Sequence, residues 1–194
     1  VTVAAHRQFV AHGASFDTGA EVFRLLLDEG LKEDHFLLDF GAGCLRVGRF
    51  LLMYLNVDRY YAVEPNRKLF EVGVECEVGQ DLLRLKGLTI AYNDDFDAGI
   101  FGIPFDYILI SGILAHTDHS QMRRLLQSTK AALASNGKVV ASYHPEGNPH
   151  HVLEGWLYPN VAPHPKECIL EAAKGLQYRE LGLDDGNAMW CVLE

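Results

Sequence analysis

Apolar residues along this chain alternate between short continuous runs and longer stretches in which they recur every three or four positions. Residues 14–30 carry Phe16, Val22, Phe23, Leu26 and Leu27 at helical spacing and stop at Gly30, which predicts an amphipathic helix with a glycine stop. His35-Phe36-Leu37-Leu38-Asp39-Phe40 is a run broken by Gly41 and Gly43, the pattern of a buried strand entering a glycine turn. Arg46 to Leu55 reads as helix, Tyr60 to Glu64 as a second strand closed by Pro65, and 66–85 as helix again. Leu88 to Tyr92 is a third strand that runs into Asn93-Asp94-Asp95. Phe105 to Ile110, apolar except at Asp106, reads as a strand covered on both faces. Residues 118–134 return to the helical period through Met122, Leu125, Leu126, Thr129 and Leu133; Asp118 with Gln121 forms a capping box and Asn136-Gly137 the stop. Lys138 to Tyr143 is a fifth strand, followed by a loop rich in Pro and His over 144–165 and a helix over 166–174. Leu176–Leu183 and Ala188–Leu193, flanking Asp184-Asp185-Gly186-Asn187, have the turn chemistry of a hairpin.

Strands alternating with helices pair in parallel through right-handed crossovers. The expected fold is therefore α/β: a doubly wound, mostly parallel, seven-stranded sheet closed by a C-terminal antiparallel hairpin. The length of 194 residues fits a single domain, 1–194. An apolar share of 48% and a charged share of 22% exclude a disordered tail or a fibrous repeat. Lys plus Arg number 17 against 26 Asp plus Glu, a net charge of −9, and Arg123-Arg124 is the densest basic spot. Such a surface repels phosphate backbones, so nucleic acid is not the expected partner. Cys44, Cys76, Cys168 and Cys191 form no CxxC pair and fit reduced thiols. Tyr107 to Ala115, the longest uncharged apolar stretch, is too short to span a bilayer, and no basic leader precedes an apolar core. The expectation is a cytoplasmic protein with no membrane partner.

The candidate chemistry begins at Asp39-Phe40-Gly41-Ala42-Gly43-Cys44-Leu45-Arg46-Val47-Gly48, a strand, glycine turn and helix start. Glycines let the backbone pass close to a ligand, and helix N–H groups attract its polar atoms. Glu64, followed by Pro65, ends the next strand, where a carboxylate can accept two hydrogen bonds from ribose hydroxyls. Together these point to a nucleoside-type cofactor. A dinucleotide fingerprint needs glycine at position 46, where this chain has arginine, which counts against a nicotinamide oxidoreductase.

The run Asp39-x-Gly41-x-Gly43, with Glu64 after the second strand, Asp95-Phe96 after the third and Phe105-Asp106 opening the fourth, resembles class I S-adenosylmethionine-dependent methyltransferases. The segment from Tyr60 to Asn66 looks most like a bacterial small-molecule branch. Leu45 departs from the family's third alternating glycine. The resemblance implies the Rossmann-like methyltransferase fold, S-adenosylmethionine as cofactor with S-adenosylhomocysteine as product, and a small-molecule methyl acceptor taking the group on O or N. It implies that Gly41, Ala42 and Gly43 pass beneath the cofactor, with Asp39 near its amino group and Arg46 a candidate for its carboxylate. Glu64 and Pro65 would meet the ribose, Asp95 (or Asp94) the adenine amine, and Phe96 the ring. Residues 1–30 would form a helical cap and 144–165 an acceptor-side loop.

The fourth strand ends at Ser111, and ligands in open α/β sheets lie beyond the strands' carboxyl ends. Ser111 is thereby a candidate cofactor contact, and His116 is expected near the reaction centre. His144 ends the fifth strand in the same way and is the second candidate base, because histidine deprotonates hydroxyls and amines near neutral pH. Trp156 and Tyr158 are candidates to touch the acceptor. His116-x-x-His119 and His164-x-x-x-Cys168 have ligand-like spacing, yet two-residue fragments are common by chance and no metal is expected. A non-catalytic cofactor-binding protein is the remaining alternative; detecting methylated product separates it from an enzyme.

Overall fold

The computed structural model describes residues 16–146, 154–184 and 187–194. The start of the expected helical cap, the loop histidines His150 and His151, and Asp185-Gly186 of the hairpin turn lie outside them. Seven strands form one sheet: β1 (Leu37–Phe40), β2 (Tyr60–Val63), β3 (Thr89–Ala91), β4 (Phe105–Ile110), β5 (Leu133–Tyr143), β6 (Tyr178–Leu183) and β7 (Met189–Leu193). Their order is β3-β2-β1-β4-β5-β7-β6. The β1–β2, β2–β3 and β4–β5 pairs are parallel, and β7 runs antiparallel to both β5 and β6. This is the expected α/β sheet with its terminal hairpin. Among the described residues, no helix is long and apolar enough to cross a membrane. The chain divides into two compact units between Asp94 and Asp95.

In the first unit, helix α1 (Phe16–Asp28) buries Gly19, Val22 and Leu26 on one face. Gly30, at φ 95°, ends it as the sequence predicts. The Leu31 N–H reaches back to the Leu26 carbonyl (2.9 Å) and the Gly30 N–H to Leu27 (2.9 Å), a Schellman stop. Helix α2 (Gly48–Tyr54) receives α1: Phe16 and Phe23 meet Phe50, at ring distances of 4.9 and 5.8 Å. Arg49 lies over the Phe16 ring and pairs with Glu77, with both charged groups largely buried. Leu37, Leu38, Leu51, Leu52 and Ala62 make the core.

The helix expected over 66–85 is three pieces: α3 (Arg67–Gly73), a π-turn over Val74–Val78, and α4 (Gln80–Lys86). Gly79, at φ 80° and ψ 149°, takes a conformation no helix allows and splits them. At Gly73 an added Cβ would collide with the backbone of Cys44, so α3 touches the glycine turn main chain to main chain.

In the second unit, Phe105, Ile108, Leu109, Ile110, Val139, Val140, Cys191 and Val192 build the core. Helix α5 (His119–Ala132) starts at the expected capping box: Asp118 accepts from the Gln121 N–H (2.7 Å) and Gln121 from the Asp118 N–H (3.1 Å). Its stop differs from expectation. Asn136-Gly137 does not cap the helix; strand β5 begins at Leu133, and the register with β4 shifts between Phe105–Leu133 and Tyr107–Lys138. Gly137 lies inside that irregularity, where a Cβ would strike the Phe105 carbonyl. Helix α6 (Lys166–Ala172) leads into the hairpin.

Candidate cofactor and acceptor site

The glycine turn after β1 is hydrogen-bonded to β2. The Gly41 and Ala42 N–H groups donate to the Val63 carbonyl (2.8 and 3.1 Å), and the Gly43 N–H donates to Glu64 Oε2 (2.9 Å). Gly41 and Gly43 both have positive φ, 85° and 55°. A Cβ on Gly43 would meet nothing nearer than 3.9 Å, so conformation and open space, not packing, call for glycine there. Leu45 also takes a left-handed backbone, φ 61°, at the position where the family's third glycine is missing. A bulky residue is rare in that region. Its side chain, fully buried, fills the core, which offsets the strain and directs it away from the surface of the turn.

Glu64 is 6% exposed, and its second oxygen accepts from the Asn66 N–H (2.8 Å). A carboxylate offers about four acceptor positions, so two remain for a pair of vicinal hydroxyls. Burial pushes its pKa up, and the two backbone donors oppose that. Asn66 was not singled out in the sequence. It caps α3 through its side chain, which accepts from the Leu69 N–H (3.1 Å), and an Asn before a helical run is the signal that could have found it. Pro65 is exposed beside it.

Asp39 is 3% exposed and accepts from the buried Tyr60 hydroxyl (2.7 Å). Burial, partly opposed by that bond and reinforced by Glu64, raises its pKa from 3.8 to about 7. The folded protein therefore holds a proton here that the unfolded chain releases above pH ~4. The stability this group supplies is complete below that pH and is lost as pH rises to about 7. Asp39→Asn should accordingly melt higher than the parent at pH 8 in the absence of ligand, with the gap shrinking toward pH 5; calorimetric scans across that range check it. Arg46 is half-buried, and burial lowers its pKa. Asp94, the last residue of this unit, is exposed.

In the second unit, Asp95 is exposed and its carboxylate accepts from the Asp97 N–H (3.1 Å). Phe96 has φ 58°, an unusual backbone for an aromatic residue. Ser128 clamps it: the hydroxyl donates to the Phe96 carbonyl (2.7 Å) and accepts from the Ala98 N–H (3.1 Å). Ser111 is half-buried just after β4, and the next N–H, of Gly112, donates to the Ser142 hydroxyl (2.9 Å).

His116 belongs to a 3-10 turn, Leu114–His116. Residues 155–164 strap across it. The N–H groups of Leu157 and Ala162 donate to the carbonyls of His116 and Ala115 (2.8 and 2.6 Å), and that of Gly155 to Asp118 Oδ2 (2.6 Å). His116 Nδ1 lies 2.8 Å from the Asn160 carbonyl. A carbonyl only accepts, so Nδ1 carries the proton of the neutral ring and Nε2 the lone pair. Trp156 and Tyr158 meet the imidazole edge-on at 5.6 and 5.0 Å, and Phe96 stands 6.4 Å from Trp156. The strap thus brings together His116, Trp156 and Tyr158.

His144 differs in kind. Its carbonyl accepts from the His164 N–H (2.8 Å) and it bridges to Pro163, so its main chain anchors the strap. The buried His164 donates through Nε2 to the Thr117 carbonyl (3.0 Å) and packs on His119 at 5.1 Å; burial first, then His119, lowers its pKa.

Among solved structures, the chain is similar to magnesium protoporphyrin IX methyltransferase (ChlM) of Synechocystis PCC 6803 with bound SAH: 12% identity, TM-score 0.69, covering 100% of this chain and 87% of that one. The glycopeptide N-methyltransferase MtfA with S-adenosyl-L-homocysteine matches at 16% identity and TM-score 0.67, covering 90% and 89%. An O-methyltransferase family protein of Burkholderia thailandensis matches at 14% identity and TM-score 0.63, covering 92% of this chain and 57% of that one. At such identities the likeness speaks for the fold. No curated protein matches this chain in sequence. The model of the methyltransferase domain family matches residues 38–139, from β1 and its glycine turn into β5 and more than half of the sequence, and the chain belongs to that family.

Proposed function

We propose that the protein transfers the methyl group of S-adenosylmethionine to a small-molecule acceptor, as a single-domain cytoplasmic enzyme that does not act on nucleic acid. The observation that carries the cofactor assignment is the Glu64 carboxylate, fixed by the N–H groups of Gly43 and Asn66 with acceptor positions to spare. Vicinal hydroxyls of a nucleoside ribose fit that donor-acceptor set. Gly41, Ala42 and Gly43 support the cofactor, Asp39 takes its amino group, Arg46 its carboxylate, and Pro65 borders the ribose. Asp95 or Asp94 accepts from the adenine amine, Phe96 lies against the ring, and Ser111 is a further contact. The cofactor supplies an electrophilic methyl on a sulfonium. The chain's own residues hold the acceptor in line with it, which accounts for most of the rate in such displacements. His116 Nε2 takes the acceptor's proton or orients its nucleophile, with His144 the reserve. Residues 1–30 cap the site and 144–165 cover the acceptor.

Titration calorimetry tests the cofactor. S-adenosylmethionine and S-adenosylhomocysteine should each bind with a Kd on the order of micromolar, about 8 kcal/mol of binding free energy, while NAD gives no heat. Binding of NAD, with neither sulfur nucleoside taken up, would overturn the proposal.

A further inference from the structure

Trp156 is 48% exposed, whereas Trp190, the other tryptophan, is 8% exposed. Leaving half an indole in water forfeits much of its burial energy, and the strap gains nothing by it, since main-chain hydrogen bonds hold the segment on both sides of Trp156. The exposed ring lies 6.4 Å from the Phe96 ring and 5.6 Å from the imidazole of His116. Aromatic walls of this kind take flat π-systems in offset or edge contacts, or cations over a ring face. The base decides between them. An acceptor carrying a fixed cation would put a second positive charge beside His116 once it holds the proton. A neutral aromatic hydroxyl would not. Its acidity also suits: a phenol gives up its proton to a base far more readily than a saturated alcohol does. A saturated alcohol, about as weak an acid as water, is far out of reach.

We infer that the methyl acceptor is a flat aromatic molecule bearing an ionisable hydroxyl, packed on Trp156 with that hydroxyl at His116. This rests on the methyl-transfer reading above. In the step, the aromatic oxygen forms the new O–CH3 bond as the S–CH3 bond breaks. The bonding pair stays on sulfur, which becomes a neutral thioether, and the hydroxyl proton ends on His116 Nε2.

The test uses two probes of one skeleton, 2-naphthol and decahydro-2-naphthol, titrated calorimetrically into protein already loaded with S-adenosylhomocysteine. An aromatic contact adds affinity beyond the area it buries, so 2-naphthol should bind about two- to tenfold tighter although its saturated partner is no less apolar. Trp156→Leu should erase the difference, Trp156→Phe should keep most of it, and both variants should load S-adenosylhomocysteine like the parent. Equal binding of the two probes, binding of neither, or a preference that survives Trp156→Leu overturns this inference alone. Failure of the parent to load S-adenosylhomocysteine overturns the methyl-transfer reading, and this inference with it.

Discussion

Replacing His116 with alanine should lower turnover by roughly 10²–10⁴-fold while cofactor affinity stays within a few-fold of the parent, the range general-base catalysis supplies. The expectation rests on the tautomer. The Asn160 carbonyl keeps the Nδ1 proton in place, so Nε2 is the nitrogen that can receive one. The rate should also fall at low pH, because a base that is already protonated cannot take another proton. Single-turnover rates per folded molecule, measured across pH, separate this from a packing role, which would lower the melting temperature and leave the rate nearly intact. His144→Ala is the comparison. Its carbonyl, which the substitution keeps, is what anchors the strap, so its rate should stay within a few-fold of the parent. A pH-independent rate on an acceptor that must lose a proton, with His116→Ala as fast as the parent, would remove His116 from the chemistry.

Glu64→Ala should weaken S-adenosylhomocysteine binding by roughly ten- to a few hundred-fold, because hydrogen bonds to a charged group contribute about 1.5–3 kcal/mol each and ~1.4 kcal/mol is a factor of ten. It should also cost stability. Gly43 and Asn66 would lose the acceptor of their part-buried N–H groups, at about 1–3 kcal/mol for a donor that water does not reach and less for the exposed Asn66. The carboxylate also ties the glycine turn to the start of α3. Glu64→Gln is therefore the better probe. Its amide oxygen still accepts from one backbone donor, so it should lose less stability than alanine while still weakening the ribose contact. Unchanged affinity in a folded Glu64→Gln protein would mean that Glu64 serves the turn alone.

What the sequence made legible were features written in side-chain type. The buried run before Gly41, the acid after β2 and the Asp118–Gln121 box all stand where their residue chemistry predicts. What it hid is written in the main chain. Gly79 sits inside an apparently continuous apolar stripe, so the period over 66–85 reads as one helix, and only its backbone angles show the break. Asn136-Gly137 carries a helix-stop signature but serves an irregularity of β5, because the pairing with β4 outweighs local propensity. The left-handed Leu45 and Phe96 had no signal at all, since neither residue type favours that conformation. Asn160 was invisible for a similar reason: it acts through its carbonyl, which every residue possesses.

That anonymity separates two things a changing enzyme must otherwise trade against each other. Main-chain bonds from Leu157 to His116 and from Ala162 to Ala115 hold the strap whatever side chains it carries, and its two other tethers, the Asn160 carbonyl and the Gly155 N–H, are main-chain groups that meet the His116 imidazole and the Asp118 carboxylate. The side chains that could face a new acceptor, Trp156 and Tyr158, sit between those tethers. Substitutions at the two aromatics can therefore explore new acceptors without disturbing the atom that sets the tautomer of His116. A library randomised at 156 and 158 alone should yield mostly folded, cofactor-competent proteins that differ in what they methylate, whereas one that shortens the strap should lose activity on every acceptor together.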